Sequence, residues 1–315
     1  MDYNVRRVRL SKINTSDQTF RITTNSDYSD LTPSISQMGV LQPPMLVPKG
    51  EGFIVVSGFR RISACQSLSL VDIPARIIND HASGFDQAQM AIADNAFQRP
   101  LNTVEQSRAL ALIQRFAPDE TDWHAAARLV GLPTSRKAVQ RLLPIADMPE
   151  SLQMAIVSGS IALPVAISIR TLHQDDGTAL SLLFQKINTG LNNQRELFEL
   201  IVETAIIKEM SVSRLLEQQD IASIFADDDT PMPQQVQRLR QVLKQMRYPE
   251  LSKAEDAFHQ AFKGLKVDPA IQLQPPRFFE GQTFRLSLSV RSRQQLKRLL
   301  ADLEKIAGAT QILPE

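Results

Sequence analysis

The run Phe53-Ile54-Val55-Val56-Ser57-Gly58-Phe59-Arg60-Arg61-Ile62-Ser63-Ala64-Cys65 contains a change of backbone regime. Its first four residues, apolar and partly β-branched, predict a strand over 53–56. Ile62, Cys65, Gln66 and Ser69 have the spacing of a partly buried helix face, on a helix that starts near Arg60. Gly58 stands between the two. A glycine there lets the backbone approach a ligand, and free amides at a helix N-terminus attract anions. The two arginines add rigid forks for phosphate oxygens. Alone, the same residues also make a solvated turn.

Outward from this stretch, further strands are predicted at 8–10, 45–47 and 73–77, where Ile73, Ala75 and Ile77 alternate onto one face. Between the first two lies a helix over Leu31–Met38, closed by Gly39. Residues 1–80 therefore read as mixed α/β. From Asp86 to about Glu217 the pattern turns helical. Asn102 and Glu105 have the spacing of a capping box that starts a helix through Ile113. Others are predicted at 122–130, 136–143, 149–158, 178–187 and 194–209. The run Asp227-Asp228-Asp229-Thr230-Pro231-Met232-Pro233 reads as a linker, because like charges repel and prolines break regular structure. Beyond it, helical periodicity gives way to a half-buried strand carrying Phe284, Leu286, Leu288 and Val290, paired with Ile271 and Leu273. A final helix over 294–306 presents Leu296, Leu299, Leu300, Leu303 and Ile306, a stripe suited to packing on the sheet or to dimerisation.

Composition narrows the function classes. With 315 residues, 43% hydrophobic and 22% charged, the chain reads as a globular protein of more than one domain. Lys plus Arg number 35 against 34 Asp plus Glu, so any nucleic-acid face must come from local clustering. One cysteine, Cys65, excludes a disulfide framework and a Cys-rich zinc site, and the four histidines lack metal-ligand spacing. No signal peptide and no apolar run near the ~18 residues of a membrane span is visible, so a cytoplasmic location without membrane partners is expected.

Two more segments carry chemistry. In Asp94-Asn95-Ala96-Phe97-Gln98-Arg99-Pro100-Leu101-Asn102-Thr103-Val104-Glu105, a carboxylate beside an amide oxygen could hold magnesium together with phosphate oxygens. The same segment also reads as a helix cap beside surface polar residues. In 123–143, Trp123, Ala126, Ala127 and Val130 make one apolar helix face, Gly131 breaks it, and Val139, Leu142 and Leu143 resume it. That is the layout of a helix-turn-helix. Its second helix would expose Arg136, Lys137, Gln140 and Arg141 to phosphates and base edges, with Arg128, Thr134 and Ser135 beside them.

In this order, the segments resemble the ParB family. The resemblance runs through Asp17-Gln18-Thr19-Phe20-Arg21, Leu31-x-x-Ser34-Ile35-x-x-x-Gly39-Val40-Leu41-Gln42-Pro43-Pro44, Gly58-x-Arg60-Arg61-x-x-Ala64, Ile73-Pro74 and Asn95…Gln98-Arg99-x-Leu101-Asn102…Glu105. It covers residues 5–170 and is specific as a set. It implies an α+β multidomain chain: a small mixed α/β, ParB/sulfiredoxin-like domain over 1–100, an all-α helix-turn-helix domain over 101–226, and a small strand-strand-helix dimerisation domain over 234–315.

The resemblance further implies CTP with magnesium in the N-terminal domain and double-stranded DNA on the helix-turn-helix. A homodimer acting as a nucleotide-gated clamp, a ParA-type ATPase partner and association with the nucleoid follow from it as well. By motif position Gly58, Arg60 and Arg61 would contact the triphosphate with Gln42 nearby, while Asp94 and Asn95 would take the metal and phosphate side. Two departures stand out. Phe59 replaces the family's usual glutamate and can neither accept a proton nor position a water, which predicts weak or absent CTP hydrolysis. The spacing from Gly131 to Leu142-Leu143, with Pro133 in the turn, departs from the family's helix-turn-helix, so the DNA target could differ from the usual partition site. In sulfiredoxin the catalytic cysteine falls where Phe59 stands, so that activity is not expected, and Cys65 reads as a small core residue. Two other function classes stay open: a site-specific transcription regulator without a nucleotide switch, and a nucleotide- or phosphate-processing enzyme.

Overall fold

The computed structural model describes residues 3–79, 81–226, 229–281 and 283–309, with Arg277 described for its backbone only. Asp227 and Asp228 of the expected linker fall outside the described residues. The chain divides into two compact units, residues 1–191 and 192–315.

In the first unit, β1 (Tyr3–Arg9), β2 (Ile13–Asn14), α1 (Leu31–Met38), β3 (Met45–Lys49), β4 (Gly52–Ser57), α2 (Phe59–Ser67) and β5 (Asp72–Ile78) build one mixed sheet and its covering helices. The strand order is β1-β5-β3-β4-β2. β1 is antiparallel to β5 and β3 to β4, while β3 runs parallel to β5 and β2 to β4. Opposite Leu46 lie Val55 on one side and Ile77 on the other. These join Ile62, Ala64 and Cys65 of α2, Ile35 of α1 and Ile73 and Ala75 of β5 in one core. Cys65 is fully buried and burial pushes its thiol pKa up, as befits a core residue rather than a nucleophile. The first strand begins earlier than its apolar pattern suggests: β1 starts at Tyr3, and Arg6, Arg7 and Arg9 are exposed along it.

Helices follow: α3 (Gly84–Ala96), α4 (Thr103–Phe116), α5 (Glu120–Leu129), α6 (Arg136–Leu142), α7 (Glu150–Val157), α8 (Leu163–Ile169) and α9 (Gln174–Ile187). The Asn102–Glu105 capping box expected from sequence is present, with Asn102 Oδ1 accepting from the Glu105 amide at 3.0 Å and Glu105 returning to the Asn102 amide at 3.1 Å. Glu105 does more than cap. It is 1% exposed. Arg99 donates to both its oxygens at 2.6 and 2.7 Å, and the Thr24 amide at 3.0 Å. The segment before α1 is thereby fastened to α4.

The second unit holds α10 (Leu191–Ile207, nearly all of it), α11 (Val212–Leu216), α12 (Gln219–Ala222), α13 (Met232–Arg247), α14 (Pro249–Gly264), β6 (Ile271–Gln274), β7 (Arg285–Leu288) and α15 (Arg293–Ala307). β6 and β7 pair antiparallel, Ile271 opposite Leu288 and Leu273 opposite Leu286. The expectation of a half-buried second strand needs correction. Phe258 of α14 with Leu299 and Ile306 of α15 bury Ile271 and Leu273, and Phe258 stacks on the half-buried Phe284 with ring centres 6.1 Å apart, but this cover does not extend to β7 itself. Leu286 and Leu288 stay 44% and 38% exposed.

Burial pushes the Glu105 carboxyl up, but hydrogen bonds from Arg99 and from the Thr24 and Asn102 amides outweigh it and hold the group below its usual 4.5. A depressed carboxyl stabilises the fold above its unfolded pKa and loses that contribution as pH falls through the folded value. Resistance to thermal unfolding is therefore expected to weaken as pH drops below about 4.5. Glu105→Gln should lower stability by about 3 kcal/mol near neutral pH and flatten this acid limb. An unchanged acid limb in the variant would assign the pH dependence elsewhere.

Candidate functional site

Gly58 caps α2 at φ 97°, in the left-handed region where only glycine sits without strain. A Cβ there would stand 2.7 Å from Pro44 Cβ and 3.3 Å from Arg61 Cζ. The tight turn brings the end of β4 directly into the first turn of α2, whose leading amides have no partner within the helix. A cleft of about 210 Å³ opens here, and its lining includes Gln42, Gly58, Arg60, Arg61, Asp94 and Asn95. All the residues that sequence reasoning assigned to the nucleotide therefore meet in one place. Phe20, Ile22, Thr23, Asn25, Ser57, Gln98 and Arg99 contribute walls that it did not assign.

The side chains are tightly engaged. Arg60 donates through its Nε to the Asp27 carbonyl and through NH2 to Asp30 at 2.6 Å, tying α2 to the loop before α1. Arg61 donates to the Gln42 carbonyl at 2.6 Å and to Asp94 Oδ2 at 3.2 Å. Ser57 Oγ donates to that same oxygen, and Arg76 of β5 reaches Asp94 Oδ1 at 3.4 Å. Asp94 and Asn95 lie in the last turn of α3, and the Asn95 amide donates to the Ala91 carbonyl at 2.8 Å, leaving its oxygen as the acceptor it can offer. Burial lowers the Arg61 pKa, Asp94 opposes that shift and Arg76 adds to it; arginine nonetheless stays charged.

The expectation that Asp94 serves as a metal ligand meets a physical obstacle. Both its oxygens are committed to arginines or a hydroxyl, and the described residues hold no group of three or more His, Cys, Asp or Glu able to ligate a metal. The site does not fit a magnesium held by protein carboxylates. Phe59 is half-buried against the sheet core, with the Arg21 guanidinium 6.0 Å from its ring centre, and supplies no base at the cleft.

The second candidate surface is carried by α5 and α6. The Gly131 amide donates to Arg128 and the Leu132 amide to Ala127, a left-handed cap that ends α5 with Gly131 at φ 70°. Leu132 is buried behind it. Ser135 caps α6 by accepting from the Ala138 amide at 3.4 Å. Arg128, Ser135, Arg136, Lys137, Gln140 and Arg141 are exposed, whereas Thr134 is half-buried. Residues 130–135 separate the helices, a longer connection than the three or four residues of a compact helix-turn-helix.

Residues 2–96 match the family model described as the ParB N-terminal domain. Among curated proteins, the probable chromosome 1-partitioning protein ParB of Deinococcus radiodurans is 30% identical over 166 residues, which is 52% of this chain and 54% of the relative. The chain thus spans about half the length of this relative. Among solved structures, the C-terminally truncated chromosome-partitioning protein ParB from Caulobacter crescentus complexed with CTP-gamma-S covers 57% of this chain and 98% of its own, at 24% identity and a TM-score of 0.27. The same protein complexed to the centromeric parS site covers 62% and 98%, at 21% identity and a TM-score of 0.32.

Gly58→Ala combines a positive φ with the close approach of Pro44. It is expected to destabilise the first unit by about 1–3 kcal/mol in denaturant titration. Unchanged stability would mean that the turn relaxes freely.

Proposed function

We propose, because residues 2–96 match the ParB N-terminal domain model, that this chain is a ParB-type partition protein, or one derived from that role, which binds a cytidine nucleotide in its cleft and double-stranded DNA on its helix-turn-helix. One observation carries the reading: Gly58 and the arginine pair Arg60-Arg61 line a single cleft at a helix N-terminus together with the amides of Gln42 and Asn95, which lie far from them in sequence. Such a site suits a polyphosphate, because guanidinium forks and helix amides both favour concentrated negative charge. CTP is the nucleotide that the family resemblance implies. Magnesium enters this reading as an ion carried in by the phosphates, which is how that cation is commonly held. With Phe59 in place of a glutamate, the nucleotide acts as a bound effector and is turned over slowly or not at all.

The DNA reading rests on Arg136, Lys137, Gln140 and Arg141 of the second helix and Arg128 near the end of the first, all exposed. Cations and amides of this kind position a duplex through its phosphates and read base edges. The protein acts as a homodimer closed through the second unit. The support is the apolar strip of Leu286, Leu288, Val290, Leu296 and Leu300, each 38–52% exposed on β7, the residues after it and α15. A ParA-type ATPase is the protein partner expected for such a dimer at the nucleoid.

Titration of labelled CTP with magnesium, beside ATP and GTP, tests the nucleotide reading. Saturable, CTP-selective binding is expected, weakened at least about tenfold by Arg60→Ala, with little product released over many minutes. Absence of binding with or without DNA would favour a DNA-binding regulator that lacks the switch. For the second face, Arg136→Ala with Lys137→Ala should weaken binding to random duplexes. The slope of log affinity against log salt should fall by about one for each phosphate that is no longer neutralised. An unchanged slope would move the DNA face elsewhere.

A further inference from the structure

Arg76 attracts no attention as a binding residue. It lies in β5 between Ala75 and Ile77 and is absent from the lining of the cleft. Yet its guanidinium donates to the Pro43 carbonyl at 3.1 Å and to Asp94 Oδ1 at 3.4 Å, while its amide donates to the Pro44 carbonyl at 2.9 Å. Arg61 approaches the same carboxylate from the cleft side, at Oδ2, and holds the Gln42 carbonyl. Asp94 is thus shared by two arginines, and its side chain is only 11% exposed. Resting on the polyphosphate reading above, we propose that Arg76 is a positioning residue: it keeps Asp94 neutralised so that Arg61 can exchange the carboxylate for an incoming phosphate group.

The physical case is one of competing partners. A poorly solvated carboxylate stripped of its cations is costly, because neither water nor another donor replaces them fully. If Arg61 were the sole partner of Asp94, a phosphate could recruit it only by leaving that carboxylate unpaired beside a second anion. Arg76 removes this penalty. It is braced by the Pro43 carbonyl, so it stays with Asp94 when Arg61 turns. Ser57 Oγ, also bonded to Asp94, supplies a further donor for the remaining carboxylate charge. The electrostatics of Arg61 agree, since Asp94 holds it and Arg76 pushes against it. Asp94 then serves as an internal stand-in for the phosphate rather than as a metal ligand.

The test is a double-mutant cycle on the full chain, with inorganic triphosphate as the probe and calorimetry as the readout. Arg76→Ala is expected to weaken binding about tenfold, a typical size for coupled charges. Asp94→Asn should bind at least as tightly as the wild type. The double variant should return to within about threefold of Asp94→Asn alone. A purely structural role for Arg76 predicts a double variant as weak as Arg76→Ala, and that result would overturn the proposal, as would wild-type affinity in Arg76→Ala. Should Arg76→Ala melt below the assay temperature, Arg76→Gln keeps an amide donor for Pro43 and carries the same comparison. Binding by Asp94→Asn but not by the wild type supports Asp94 as a competing anion. Failure of both to bind triphosphate overturns the polyphosphate reading itself, and the proposal with it.

Discussion

The carboxylate of Glu105, buried at the start of α4, accepts from the Thr24 amide and hydroxyl, from both outer nitrogens of Arg99 and from the Asn102 amide. A single ionised group at 1% exposure is tolerable only because donors surround it. The consequence reaches well beyond the helix cap. Thr24 belongs to the segment whose residues Phe20, Ile22, Thr23 and Asn25 wall the cleft, so the cleft exists where it does because that segment is fastened to α4. The fastening continues along the helix. Arg108 donates to the Thr23 carbonyl at 3.1 Å and to Gln153 of α7 at 2.8 Å, and Phe20 stacks on Phe116 with ring centres 5.5 Å apart. Arg99 joins the two functions, pairing with Glu105 and lining the cleft.

Arg60 and Arg61 line the other side of the cleft, Arg76 stands behind Asp94, and each is restrained by partners outside its own element. Arg60 is held by the loop before α1, Arg61 by the segment before β3 and by α3, and Arg76 by the same pair. Concentrated positive charge would repel itself in a poorly solvated site. Asp94 relieves that repulsion, which places an acidic residue where an anion-binding function also needs positive charge. Under the proposed role of Arg76, the cleft would exchange an internal anion for an incoming one rather than act as a bare positive socket. Phe59 fits this division of labour, since it packs half-buried against the core and faces the cleft where a glutamate would have brought a second carboxylate among the arginines.

The sequence by itself determined the local elements of the first unit and the identity of the cleft's principal donors. Strand periodicity and glycine punctuation located β3, β4, α1 and α2, and the spacing of Asn102 and Glu105 announced a capping box, because these signals act within a few residues of one another. The motif residues Gly58, Arg60, Arg61 and Asn95 stood out as a set only through their resemblance to the ParB family, since each taken alone also reads as a solvated turn or a helix end. Tertiary structure decided the pairings. Nothing near Arg76 announces Asp94, and nothing near Thr24 announces Glu105, since the first pair joins β5 to α3 and the second joins the segment before α1 to α4, elements distant along the chain. The same limit governs β7, whose alternating apolar residues predict a covered face. How far α14 and α15 reach across the ribbon is a matter of packing geometry, and it leaves Leu286 and Leu288 open. Periodicity identifies a face that requires burial, whereas only the folded chain decides how much of that face its own helices cover.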